Sequence, residues 1–301
     1  MPELPDLTVY VEALSARIVG EPLIAARVLR PFVLRSVDPP LESLMGRTIV
    51  AVSRQGKRLV FSFENERWMV IHLMIAGRLR WFDAGQKSSI PLKIGLARFE
   101  FASGTLWLTE ASTKRRASMV LCDDEESLAC LNPGGIEPLE ATLESFSKRL
   151  LGKNRTLKRA LTDPSSFAGI GNAYSDEILH AARLSPVRLT QSLSGEEVAT
   201  LYRATQETLE SWVQRLRTEF CGTFPGPGQI TAFHPDFAVH GKFGKPCPVC
   251  GMPVQRIRYA ENETNYCARC QNEDRVLADR GLSRLLKDDW PRTLEEMLGE
   301  R

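Results

Sequence analysis

Met1-Pro2-Glu3-Leu4-Pro5-Asp6-Leu7-Thr8-Val9-Tyr10-Val11 opens the chain. Leu7, Val11, Leu14 and Ile18 recur at helical spacing. Pro5 and Asp6 suit a helix start and Gly20 suits its stop, so a helix is predicted over 6–19. The residues ahead of it then lie at the positive end of a helix dipole. Removal of Met1 would expose the secondary amine of Pro2. An α-amino group titrates near roughly 7.7–8.0, and a helix N-terminus lowers that value because it disfavours a cation. A neutral secondary amine attacks carbonyl-like carbon and forms an iminium. Glu3 stands beside it and is placed to move protons. The plainer alternative is that Pro2 and Pro5 only start the helix.

Beyond the helix the pattern changes. Thr48–Ser53, Arg58–Phe63, Trp68–His72, Leu96–Phe101 and Thr105–Thr109 are rich in β-branched and aromatic residues, and Ser103-Gly104 signals a hairpin. These segments predict an antiparallel two-layer sandwich. From about 140 to 220 the pattern is helical. Ser194 and Glu197 form a capping box, and the helix they open is predicted to bury Val198, Leu201, Thr205, Leu209, Val213 and Leu216. Residues 221–240 are rich in Gly and Pro and read as a loop. Residues 271–301 read as a charged helical tail, with Leu282, Leu285, Leu286, Trp290, Leu294 and Leu298 as an amphipathic element. The fold class is α+β and multidomain. Its expected parts are a sandwich domain at 1–125, a helical domain at 140–220, a cysteine module at 240–271 and a tail at 272–301.

Seven cysteines divide into two groups. Cys122, Cys130 and Cys221 are scattered and read as buried small hydrophobes. Cys247, Cys250, Cys267 and Cys270 follow C-x2-C-x16-C-x2-C, the spacing of a closed four-thiolate site for one structural zinc ion. The segment between the pairs reads as a β-hairpin carrying Arg256 and Arg258. Disulfides are the alternative, and the lack of a secretory signal disfavours them. The net charge is only +2, but Lys148, Arg149, Lys153, Arg155, Lys158 and Arg159 lie between Ser145 and Thr162 with no acidic residue among them. Such a stretch either neutralises phosphates or is a solvated helix face. No apolar run approaches the roughly 20 residues that span a bilayer. The expectation is a cytoplasmic protein without a membrane partner.

Taken together, these motifs resemble the formamidopyrimidine-DNA glycosylase and endonuclease VIII family. Met1-Pro2-Glu3-Leu4-Pro5 resembles the family's signature, and Leu4 is similar to the formamidopyrimidine branch. Arg54-Gln55-Gly56-Lys57-Arg58 resembles its lysine turn. Gly169-Ile170-Gly171-Asn172-Ala173-Tyr174 with Glu177 resembles its helix–two-turn–helix, and the four cysteines match its zinc finger. The resemblance spans residues 1 to about 271. It implies a base-excision-repair glycosylase with lyase activity on damaged double-stranded DNA. Pro2 would be the Schiff-base nucleophile and Glu3 its proton-transfer partner, with Lys57 acting at the damaged nucleotide. Lys158, Gly171 and Asn172 would bind phosphates flanking the lesion. The glycines agree with that role, since they let backbone N–H groups approach an anion.

The chain departs from the family at several positions. Asn262 stands where an arginine usually grips lesion phosphates; it offers a hydrogen bond but no charge. Arg256 or Arg258 would then have to substitute. His72-Leu73-Met74-Ile75 replaces His-Leu-Gly-Met, which puts Ile75, or else Met74, at the void-filling position. Arg115 remains in the second void-filling loop, while Ala117 replaces a phenylalanine wedge. His240-Gly241-Lys242 replaces Tyr-Gly-Arg. The favoured substrate class is oxidised purines such as formamidopyrimidines. The alternatives are an endonuclease VIII-like enzyme for oxidised pyrimidines or abasic sites, and a non-catalytic damaged-DNA-binding protein on the same scaffold.

Overall fold

The computed structural model describes residues 1–87, 89–231, 233–259, 262–278 and 290–299. Helix α1 (Leu4–Ile18) begins earlier than the apolar period alone suggests. Glu3 is its N-cap residue. The Asp6 carboxylate accepts the Glu3 backbone N–H at 2.8 Å, and the Glu3 side chain answers the Asp6 N–H, a reciprocal capping box. The helix lays Leu7, Tyr10, Leu14 and Ile18 fully inside the core.

Eight strands follow: β1 (Ala25–Val28), β2 (Ile49–Gln55), β3 (Arg58–Phe63), β4 (Arg67–His72), β5 (Gly77–Asp83), β6 (Gly95–Glu100), β7 (Gly104–Glu110) and β8 (Ser118–Cys122). They form two four-stranded antiparallel sheets, ordered β1-β6-β7-β5 and β2-β3-β4-β8. The expected two-layer arrangement is present. In β3, Leu59, Phe61 and Phe63 enter a core shared by both sheets and α1. Val60 points the other way and is covered by Trp68, Leu128 and Leu131, the latter two at the short helix α2 (Glu125–Cys130).

Two compact units divide the chain: residues 1–133 with 212–232, and residues 134–211 with 233–301. The second holds α3 (Leu143–Leu151), α4 (Leu157–Leu161) and α5 (Asn172–Ala181). Helix α6 (Gly195–Phe220) starts in the second unit and ends in the first. Its predicted capping box is formed: the Ser194 N–H donates to Glu197 at 2.8 Å and the Glu197 N–H to Ser194 Oγ at 3.2 Å. All six residues predicted for its inner face are buried. The ribbon β9 (Gln255–Tyr259) and β10 (Asn262–Tyr266) leads into α7 (Ala268–Asn272), and α8 (Leu294–Leu298) follows near the C-terminus.

Two expectations change. Cys122 is buried, but Cys130 and Cys221 are exposed. Cys130 ends α2, a surface helix with no fully buried residue, and Cys221 follows α6 in a left-handed conformation (φ 45°). In the tail, Leu294 packs with Tyr266 and Ala268, whereas Leu298 is exposed. Leu282, Leu285 and Leu286 lie outside the described residues.

Candidate active site and metal centre

The capping box that starts α1 also builds the N-terminal site. Pro2 is buried and Glu3 is 3% exposed. Burial pushes the terminal ammonium, here on Met1, below its ordinary value; Glu3 opposes this, and the cations Arg78 and Lys57 reinforce it. Loss of Met1 moves the amine one residue inward. With Met1 gone, the terminal amine would be that of the buried Pro2. His72 is driven down to about 4 by burial, with Arg58, Lys57 and the terminal amine adding to the effect. Neutral at physiological pH, its Nδ1 accepts the Met74 N–H at 3.0 Å.

Burial also holds the Asp6 carboxyl up, at about 7, against the lowering effect of its bond from Glu3. The unfolded chain ionises Asp6 near the ordinary value of 3.8, so between that value and about 7 the folded chain binds more protons. Stability from this group therefore falls as pH rises through that window. Melting temperatures measured from about pH 5 to about pH 8 are expected to decline, and Asp6→Asn to flatten the decline. An unchanged slope in the variant rejects the assignment.

Lys57 lies in the tight turn between β2 and β3, where Gln55 pairs with Arg58. Gly56 takes the positive φ (59°) that such a two-residue loop requires, and Arg54 Nη1 closes it on the Gly56 carbonyl at 2.9 Å. A second turn presents Ile75. The Gly77 N–H bonds to Leu73 O at 2.8 Å, and a Cβ at Gly77 would stand 2.2 Å from that oxygen. Arg78 Nη1 bonds the Ile75 and Gly77 carbonyls at 3.1 and 2.6 Å. Ile75 is exposed at the apex. Met74 is half-buried in a left-handed conformation (φ 53°), where the family pattern has glycine. Arg78 carries no signal in the sequence and His72 only as the first residue of its motif; both interact electrostatically with the N-terminus.

The loop after β7 is organised by Glu110, which accepts the N–H groups of Arg116 and Ala117 at 3.0 and 3.1 Å. Ala117 is fully buried by this contact, so it stands inside the sandwich and is not a wedge. Arg115 is half-buried, with its guanidinium on the Lys93 carbonyl (3.3 Å) and over the Phe32 ring (5.9 Å).

In the second unit the basic stretch splits. Lys148, Arg149, Lys153 and Arg159 are exposed. Arg155 pairs with Asp163 at 2.5 Å. Lys158 bonds the fully buried carboxylate of Asp176 at 2.5 Å and the Asn172 carbonyl at 2.6 Å. The other Asp176 oxygen meets His240 Nδ1 at 2.7 Å and the Asn265 N–H at 3.1 Å. Next to it, Glu177 accepts the N–H groups of Ala238, Val239 and His240 at 2.7, 2.9 and 2.9 Å. Gly171 caps α5, and Asn172 at its first turn donates Nδ2–H to the Glu263 carbonyl at 2.9 Å. Two adjacent acids thus fasten α5 to the loop before the cysteines and to β10. Removing one partner of a buried ion pair costs about 3–5 kcal/mol. Asp176→Ala is expected to lower urea-unfolding stability by that order; a change below about 1 kcal/mol contradicts it.

The ribbon register places the two arginines. Arg258 pairs with Glu263 and Arg256 with Asn265, while backbone position 262 pairs with 259. The pleat puts 256, 258 and 263 on one face. Arg256 and Arg258 both reach Glu263, at 3.6 and 3.5 Å, and Arg256 stacks over Phe243 at 4.1 Å.

The four cysteine sulfurs lie within 4.8 Å of one another. Cys250 and Cys267 are 3.4 Å apart, and Cys247 and Cys270 3.9 Å. A tetrahedron with metal–sulfur bonds of about 2.3 Å has edges of about 3.8 Å, so the set fits one structural zinc ion. The first pair sits on a turn closed by the Cys247 N–H to Met252 O at 2.8 Å, and the second opens α7. Burial pushes the Cys270 thiol up to about 11. Metal binding must therefore displace its proton.

Family models match along the chain: the formamidopyrimidine-DNA glycosylase N-terminal domain at 1–118, the formamidopyrimidine-DNA glycosylase H2TH domain at 135–220, and the zinc finger found in FPG and IleRS at 244–272. A formamidopyrimidine-DNA glycosylase of Pelotomaculum thermopropionicum is 32% identical over 278 residues, covering 90% of this chain and 99% of the relative. The chain belongs to the formamidopyrimidine-DNA glycosylase family. A solved Lactococcus lactis family member on DNA containing an abasic site matches with a TM-score of 0.76 at 26% identity, over 90% of this chain and 99% of that one. Another Lactococcus lactis structure, with DNA containing a formamidopyrimidine-deoxyguanosine, gives 0.77 at 25% identity, over 90% and 100%. No helix among the described residues is long and apolar enough to cross a membrane.

Proposed function

We propose that this chain, acting as a monomer on damaged double-stranded DNA, excises oxidised purines such as formamidopyrimidines and then cleaves the strand. The buried Pro2–Glu3 start of α1, with Lys57 and Arg78 in its electrostatic surroundings, carries the reading. The damaged base must leave the stack, because its C1′ is inaccessible inside a duplex. With Met1 removed, the Pro2 nitrogen lone pair forms the N–C1′ bond, the glycosidic electron pair departs with the base, and the Pro2 N–H proton is lost to the departing base. Glu3 delivers a proton as the C1′–O4′ bond opens, leaving an iminium. Loss of a C2′ proton then expels the 3′ phosphate, and a second elimination expels the 5′ phosphate. Lys57 holds the damaged nucleotide. Gly171, Asn172 and the exposed cations of the basic stretch hold flanking phosphates, and Asn262 adds a neutral contact.

Lys158 supports this surface from behind. Two of its three N–H donors are engaged by Asp176 and Asn172, so it positions the Asn172 turn more than it meets phosphate. Ile75 and Arg115 fill the space left by the extruded base. The domains divide the labour: 1–125 holds the nucleophile, 140–220 and 240–271 hold DNA, and in 272–301 Leu294 packs with Tyr266 and Ala268 of the zinc module. A panel of duplexes carrying a formamidopyrimidine, 8-oxoguanine or thymine glycol tests the lesion class. Fastest release of the formamidopyrimidine is expected; faster release of thymine glycol favours the oxidised-pyrimidine alternative.

A further inference from the structure

His180 lies near the C-terminal end of α5, the helix that carries Asn172 at its start. Its Nε2 is 3.2 Å from Cys247 Sγ, and both side chains are buried, at 6% and 2% exposure. We infer that His180 is a positioning residue for the metal site, donating an Nε2–H hydrogen bond to the zinc-bound Cys247 thiolate; this rests on the zinc reading above. A metal-bound thiolate has no proton and only accepts, so the imidazole nitrogen facing it must carry hydrogen. Four thiolates around one divalent cation leave a net charge of −2 in a largely buried module. Each N–H···S bond disperses part of that charge.

The sulfurs are not served alike. Cys267 receives the Cys270 N–H of its own turn at 3.5 Å, and Cys250 that of Met252. Cys247 draws its donor from a different element, the DNA-facing helix. The bond therefore ties α5 to the metal at one end, while Asn172 ties it to β10 at the other. Gln271 adds a neighbouring tie from α7 to the Leu184 carbonyl at 3.0 Å.

Zinc affinity is measured by competition with a chelator of known strength, using the full-length zinc-loaded protein. Loss of an outer-shell partner weakens metal affinity by about 10–100-fold. His180→Phe is expected to fall in that range, and His180→Gln, which keeps an N–H donor at similar reach, to stay within about threefold of the parent. Unchanged affinity in His180→Phe overturns the inference. A second measurement needs no variant. Long-range proton–nitrogen correlation spectra of the zinc-loaded parent protein are expected to show His180 Nε2 protonated; an unprotonated Nε2 overturns the inference even where His180→Phe fails to fold. Metal analysis separates this from the zinc reading. One zinc per chain with an unprotonated Nε2 rejects only the His180 role, whereas a folded protein that retains no zinc rejects the zinc reading itself.

Discussion

Glu3→Gln is expected to slow base excision by about 10²–10⁴-fold, the range of a lost general acid–base group. Glu3 is buried at the N-cap of α1, and its side chain accepts a backbone N–H there. Glutamine keeps that acceptor, so the fold and the placement of Pro2 survive the change. What is lost is the proton delivered as the sugar ring opens. An abasic site has no base to expel and already samples the open aldehyde. Strand cleavage at a preformed abasic site should therefore fall much less than base release. Single-turnover rates on a formamidopyrimidine duplex and on an abasic duplex give both numbers. Equal losses on the two substrates would assign Glu3 to lyase chemistry instead, and no loss on either would remove it from the mechanism.

Removing the metal is the second large effect. Structural zinc contributes apparent binding free energies of about 10–16 kcal/mol in small modules near neutral pH. Here it cross-links the turn at Cys247 and Cys250 to the start of α7 at Cys267 and Cys270. The small apolar cluster around it is Val239, Cys247, Val254 and Cys267, with few other core residues to hold it. Cys250→Ser, or exhaustive chelation, is expected to melt the β9–β10 ribbon while α1 and the sandwich persist. Glu263 and Asn265 would then release α5, because their backbone is bonded to Asn172 and Asp176. Affinity for duplex DNA should drop, and so should its dependence on salt, since fewer phosphates are neutralised. Hydrogen exchange resolved along the chain checks the first part, and binding across a salt series checks the second. Full protection in the ribbon after metal removal contradicts this account.

Much of the molecule was legible in the sequence because its signals are local. The α1 period, the Ser194–Glu197 cap, the alternating strands and the cysteine spacing each need no more than about twenty-five neighbouring residues to read. What stayed hidden depends on pairing between distant segments. Asp176 gathers Lys158, His240 and Asn265, and no periodicity links those positions. The basic stretch looked uniform, but ion pairing removes Arg155 and Lys158 from its free surface. The pairing of Arg256 and Arg258 with Glu263 likewise depends on the ribbon register and carries no sequence signal. Ala117 looked like a shortened wedge, yet Glu110 draws its amide inside. Cys130 and Cys221 were misjudged because burial of a small side chain follows the helix end on which it sits rather than its chemistry.

The central claim is amine chemistry by Pro2. Protein with Met1 removed, verified by mass, is incubated with duplex DNA containing an abasic site and reduced with borohydride, and the cross-linked peptide is sequenced. The account predicts one covalent adduct per chain on the Pro2 nitrogen, greatly diminished in Pro2→Gly. An adduct on Lys57 or another lysine, or none from active protein, would contradict it.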